Sequence, residues 1–201
     1  MTVRYDRAQW RVIADWLAVA AAVALPWSTS VTYILVGAWA VILIPTIDPD
    51  DWRDVIKHPA AWLPLALIGF AVLGMTWATG VEWKSRFEGL TSFLKLLAIP
   101  LLLVQFRTSP RAHTVLIAFL VSCSALLLVS WIMVVTGMKP ITKNATSYGV
   151  PVRDYIVQSQ EFILCAVGLI YLIYLRLREK HFGFALALAA LVALFLINVT
   201  L

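Results

Sequence analysis

Seven long apolar runs occupy most of the chain, and they decide what it can fold into. They begin near Val12, Val31, Pro59, Leu90, Ala112, Ser159 and Phe182, and each is continuous rather than spaced at amphipathic intervals. At about 20 residues per membrane crossing, seven crossings use about 140 residues. The sequence has 201, so about 60 remain for every loop and both ends. That excludes a separate soluble domain, a Rossmann or barrel enzyme, and an extended nucleic-acid surface. Composition agrees: 62% of residues are hydrophobic and 13% charged, against about 45–50% and about 25% in soluble domains. A transmembrane β-barrel is excluded too, because its strands alternate instead of running apolar throughout. The expected fold is all-α, a polytopic transmembrane helical bundle of about seven spans forming one domain over 1–201.

The first expected span runs from about Val12 to Leu25 and the second from about Val31 to Ile47, joined by Pro26-Trp27-Ser28-Thr29-Ser30. A polar stretch from Asp48 to His58 precedes a third, about Pro59 to Thr79. The fourth covers about Leu90 to Phe106, where Pro100 is expected to kink the helix. The fifth covers about Ala112 to Thr136, the sixth about Ser159 to Leu175 and the seventh about Phe182 to Leu201. Ten cations fall on one side: Arg4, Arg7, Arg11, Arg53, Lys57, Arg107, Arg111, Arg176, Arg178 and Lys180. Six fall on the other: Lys84, Arg86, Lys95, Lys139, Lys143 and Arg153. The excess predicts a cytoplasmic N-terminus, and it assigns the net charge of +5 to topology rather than to nucleic acid. The first run leads straight into another span, so it reads as a retained helix rather than a cleaved signal. Cys123 and Cys165 lie inside apolar runs and read as small packing residues rather than a disulfide. Ala14, Ala18, Ala21 and Ala22 of the first helix suit close helix packing. The last run ends at Leu201 without a basic or aromatic flank, which predicts that the chain is the N-terminal part of a longer protein.

Candidate chemistry gathers in the two outer loops. If the fourth helix begins near Lys84, then Lys84, Glu88, Thr91 and Lys95 fall on one face at spacings of 4, 3 and 4. Lys95 then sits about 10 Å below the interface, where a lysine costs about 2.5–3.5 kcal/mol and should face protein or a wet cavity. It either lines a cleft for an anionic head group or pairs and snorkels for assembly alone. The second loop ends in Val152-Arg153-Asp154-Tyr155-Ile156-Val157-Gln158. Arg153 is a plausible fork for diphosphate oxygens or an ordinary interfacial arginine. Asp154, Gln158 and Glu161 share a face leading into the sixth span. The acidic stretch Asp48-Pro49-Asp50-Asp51-Trp52-Arg53-Asp54 matches no metal loop and reads as a solvated loop. His58, His113 and His181 are scattered, so no zinc site is expected.

Three features together resemble the N-terminal half of the bacterial O-antigen ligase family, whose relatives include O-antigen polymerases. They are the paired short opening helices, the segment Trp83-Lys84-Ser85-Arg86-Phe87-Glu88-Gly89-Leu90 running into Phe93-Leu94-Lys95-Leu96-Leu97-Ala98-Ile99-Pro100, and the outer loop ending at Gln158. The resemblance implies an inner-membrane glycosyltransferase of roughly twelve spans, whose donor is a polysaccharide on undecaprenyl diphosphate. The acceptor is a sugar of the lipid A core at the periplasmic face. It implies no nucleotide sugar, no metal and no other cofactor. The partners it implies are those two lipids and the surrounding bilayer, with no nucleic acid. By position, Lys84, Arg86, Lys95 and Arg153 are the residues expected to attract or contact the diphosphate. The family's catalytic histidine lies in a large periplasmic loop, which this sequence lacks, so catalytic residues are expected beyond Leu201. A transporter remains the alternative from another class.

Overall fold

The computed structural model describes residues 7–138, 150–152 and 154–200. Among the described residues the chain forms nine α-helices and no strand. They are α1 (Arg7–Ala24), α2 (Thr29–Leu43), α3 (Pro49–Ile56), α4 (Pro59–Trp77), α5 (Trp83–Leu94), α6 (Ala98–Thr108), α7 (Ala112–Thr136), α8 (Tyr155–Arg178) and α9 (Phe182–Thr200). The fold is therefore the expected all-α helical bundle of a multi-pass membrane protein. Six helical stretches among the described residues are long and apolar enough to cross a membrane: Thr29–Thr46, Pro59–Trp77, Trp83–Thr108, Ala112–Thr136, Tyr155–Arg178 and Phe182–Val199. The first expected span is not one of them. Its helix starts at Arg7 rather than Val12, and its 18 residues carry Arg7, Arg11 and Asp15.

Local chemistry sets these boundaries. Asp48 and Pro49 open α3, and His58 and Pro59 open α4, each proline at a helix start where a missing N–H costs nothing. The His58 Nδ1 also accepts from the Ala60 backbone N–H at 3.3 Å. α3 replaces the acidic loop expected over Asp48–Asp54. Asp50 and Asp51 lie in its first turn, the favourable end of the helix dipole, while Val55 is buried. The fourth span starts earlier than Leu90. It runs from Trp83 to Thr108 and is interrupted by a 3₁₀ turn at Lys95–Leu97. The break precedes Pro100, which lacks an N–H to return to Leu96 and whose ring crowds that carbonyl. α7 stops at Gly137, whose φ of 68° is left-handed and whose N–H reaches the Met133 carbonyl at 2.9 Å.

The chain divides into two compact units. Among the described residues, unit 1 holds 7–15 together with Ala40–Arg111, and unit 2 holds Trp16–Trp39 and those from Ala112 on. In unit 1, α3 and α6 pack on α4, and Val55, Ala61 and Val104 form a small core with Ile47, Trp52 and Leu103 against it. In unit 2, α7, α8 and α9 enclose Leu120, Cys123, Leu126, Leu127, Phe162, Cys165, Leu169 and Phe195. The Phe162 and Phe195 rings meet at 5.0 Å between centroids. Both cysteines are buried free thiols. Trp27, in the turn between α1 and α2, ties that turn to α7: its indole Nε1 donates to Ser122 Oγ at 2.9 Å, and that hydroxyl donates to the Val23 carbonyl at 2.7 Å. Large apolar side chains such as Ile34, Phe70, Val135 and Leu186 are about 70–80% exposed, as lipid-facing residues are.

Candidate functional site

The outer cations come first. Lys84 and Glu88 lie exposed along α5 with Thr91 on the same face, and Lys95 opens the 3₁₀ turn that follows. Thr91 is turned back on its own helix, its hydroxyl donating to the Glu88 carbonyl. Arg86 lies off that face and is committed elsewhere. Its Nε donates to the Val81 carbonyl at 2.9 Å and its Nη1 to the Met75 carbonyl at 3.0 Å. Met75 is in the last turn of α4, so Arg86 satisfies a carbonyl that has no helical partner. Its guanidinium also lies 4.7 Å from the Trp83 ring centroid. Arg86 thus lines a small cavity of about 240 Å³ with Met75, Val81, Ser85 and Phe93. Arg153 lies outside the described residues, as do Lys139 and Lys143.

The polar face expected at Asp154, Gln158 and Glu161 divides on folding. α8 begins at Tyr155 rather than Ser159, so Asp154 is its exposed N-cap and the other two are buried. Gln158 Nε2 donates to Asn198 Oδ1 at 3.1 Å and to Ser130 Oγ at 3.4 Å, and Asn198 Nδ2 donates to Ser130 Oγ at 3.0 Å. Three helices are joined by one neutral cluster, with Glu161 one turn further on at 6% exposure.

Sequence reasoning missed the most elaborate polar site, in unit 1. Asp15 is 3% exposed. Its Oδ1 accepts from Gln105 Nε2 at 2.7 Å, and its Oδ2 accepts from Ser109 Oγ at 2.7 Å and Arg111 Nη1 at 3.0 Å. Nearby Arg11 donates from Nη2 to the Thr46 carbonyl at 3.1 Å, with Asp51 Oδ2 at 3.7 Å. A cavity of about 240 Å³ opens among these groups, between the start of α1, the 3₁₀ turn after α2 and the end of α6. The signal was present in the sequence: an ionisable residue inside an apolar run is a functional candidate.

The remaining carboxylates of α3 are also paired. Asp50 bridges Arg53, and Asp54 accepts from Lys57 and Arg107, both at 3.0 Å. The Lys57 and Arg107 hydrogen bonds hold the Asp54 carboxyl below its ordinary value of 3.8. Beside this bridge an apolar groove of about 750 Å³ runs along Ile99, Leu102, Leu103 and Phe106. Among the described residues, no three His, Cys, Asp or Glu side chains gather as a metal site. Comparison of the chain with protein families, curated proteins and solved structures returns no match.

Proposed function

We propose that the chain forms the lipid-donor side of a membrane glycosyltransferase resembling O-antigen ligase. The reaction moves O-antigen polysaccharide from undecaprenyl diphosphate to lipid A-core at the periplasmic face of the bacterial inner membrane. The observation that carries this reading is the cationic helix α5, which continues into the 3₁₀ turn at Lys95 within an otherwise apolar span. A diphosphate at the outer interface is the kind of anion that cations placed along such a span attract. The bond from the anomeric carbon to the diphosphate oxygen breaks while the acceptor hydroxyl oxygen bonds that carbon from the opposite face. The hydroxyl proton goes to a base supplied outside this chain. Lys84, Lys95 and Arg153 act on the negative charge of the leaving diphosphate, where cations contribute most to such a transfer. Arg86 belongs to the same cationic region, with one donor already on the last turn of α4 and another on the turn that leads into α5. In this reading the N-terminus is cytoplasmic, and catalysis requires the full-length protein.

An O-antigen polymerase shares these helices and would use the same donor. A transporter is favoured by a different observation, the combination of an interrupted span with the buried ionisable residues Asp15 and Glu161. The deciding experiment places the full-length gene in a bacterium lacking its own ligase and examines lipopolysaccharide for the O-antigen ladder. The ladder should return, and Lys95→Ala or Arg153→Ala should reduce it about tenfold at equal protein level, the loss of one charge-assisted contact. A well-expressed protein that restores no ladder with a defined donor present overturns the ligase reading.

A further inference from the structure

We infer that the cavity between Arg11 and Arg111 is a phosphate-binding site, distinct from the outer cations. It lies at the far end of the span Trp83–Thr108 from Lys84, about 36 Å along a helix of that length. Arg11, Arg111 and Asp15 line it, and Asp51 stands 3.7 Å from Arg11, so what the cavity offers an anion is guanidinium donors rather than net charge. Each arginine is anchored by one nitrogen only: Arg11 by Nη2 on the Thr46 carbonyl, Arg111 by Nη1 on Asp15. A guanidinium carries five N–H donors in a planar fork, so both keep donors for a ligand while their orientation is already fixed. Asp51 does not neutralise Arg11 tightly, since 3.7 Å exceeds the about 2.7–2.9 Å of a charge-assisted bond. Both side chains are between a third and two-fifths exposed, at 38% and 35%, so the site is reachable from outside.

Asp15 belongs to the site as its organiser. Three donors hold it, so it presents Arg111 and Ser109 in a set geometry instead of repelling an anion with an uncompensated charge. The anion chemistry is that of a phosphate group, whose oxygens match the arginine fork in pairs. Two sources offer it at a membrane boundary: the head group of an anionic phospholipid, and free phosphate in the aqueous phase.

The test uses the purified full chain in a neutral detergent, with thermal unfolding followed during titration. The probes are short-chain phosphatidylglycerol, short-chain phosphatidylcholine and inorganic phosphate. A saturable rise in Tm with phosphatidylglycerol alone supports the site and assigns it to a lipid head group. A saturable rise with inorganic phosphate supports it and assigns it to a soluble phosphate. Arg11→Gln should weaken whichever response appears by about tenfold, whereas Arg53→Gln, an exposed cation away from the cavity, should leave it unchanged. Arg111→Gln strips Asp15 of its cation and can prevent folding, so Arg111→Lys, which keeps the charge but loses the fork, is the companion variant. An equal response to phosphatidylcholine, no saturable response, or equal effects of Arg11→Gln and Arg53→Gln overturns the proposal.

Discussion

Unit 1 buries the Asp15 carboxylate among two neutral donors and a cation and leaves a cavity beside it; unit 2 joins three helices through a neutral cluster of amides and a hydroxyl, with Glu161 buried one turn further on, and packs a core around them. The difference follows from what each group needs once water is gone. An isolated buried charge costs far more than a neutral polar group, so Asp15 requires a cation and further donors. Gln158, Asn198 and Ser130 satisfy one another across three helices with no ion at all. One third of the α7 and α8 spans is buried, 33% in each, against 11% for Phe182–Val199, so within unit 2 the core sits chiefly on α7 and α8.

The largest effect should therefore come from the unit 2 core. Phe162→Ala removes a side chain with no exposure and one half of the ring pair, at a cost of about 3–5 kcal/mol. Denaturant titration of the purified protein measures it, and a loss under 1 kcal/mol would place the core elsewhere. Next is Arg111→Leu, which leaves Asp15 buried without its cation and should cost about 3 kcal/mol. The double variant Asp15→Leu/Arg111→Leu should recover much of that loss. Additive single effects in the cycle would break the contrast drawn here, because they would show Asp15 and Arg111 to be energetically independent. Gln158→Leu should cost about 1 kcal/mol, since Asn198 and Ser130 keep their own hydrogen bond and polar contacts in membranes are individually modest.

The smallest effect is a pH dependence confined to unit 1. Asp54 ionises below its ordinary 3.8 because Lys57 and Arg107 bond the charged form. Its folded value is the depressed one, so the bridge contributes stability above the unfolded value and loses it as pH falls through the folded one. A ¹³C carboxyl titration should place the Asp54 midpoint under 3.8, and Arg107→Gln should raise it. An unmoved midpoint in that variant removes Arg107 from the bridge.

The helical class and most helix positions were legible because apolar length alone decides them; α4 and α7 begin at Pro59 and Ala112, where the sequence places them. What escaped had a physical reason in each case. α3 has only eight residues, and its density of carboxylates outweighed the Val55 and Ile56 pattern and the Asp48-Pro49 start signal. α5 begins at Trp83 because Arg86 anchors its first turns to α4, a tertiary bond that hydropathy does not register. Asp15 was hidden among the alanines Ala14, Ala18 and Ala21, and its partners lie 90 to 96 residues away. Spacing revealed that Gln158 and Glu161 share a face, but not that α7 and α9 would cover it. Of the four cations expected to face the donor, Lys84 and Lys95 follow one another along α5 and the turn after it, Arg86 is partly spent on backbone, and Arg153 lies outside the described residues.

The 3₁₀ turn at Lys95–Leu97 gives the span Trp83–Thr108 a joint. A continuous α-helix transmits a push at one end to the other as a rod does. Here Pro100 has already removed one rung of the hydrogen-bond ladder, so bending at the turn sacrifices none of the bonds on either side. The segment carrying Lys84 is fastened to α4 by Arg86 and the segment carrying Gln105 to α1 by Asp15, while α4 packs on both segments. A displacement at the outer end of the span therefore reaches the inner end through α4, around the joint rather than along the helix axis.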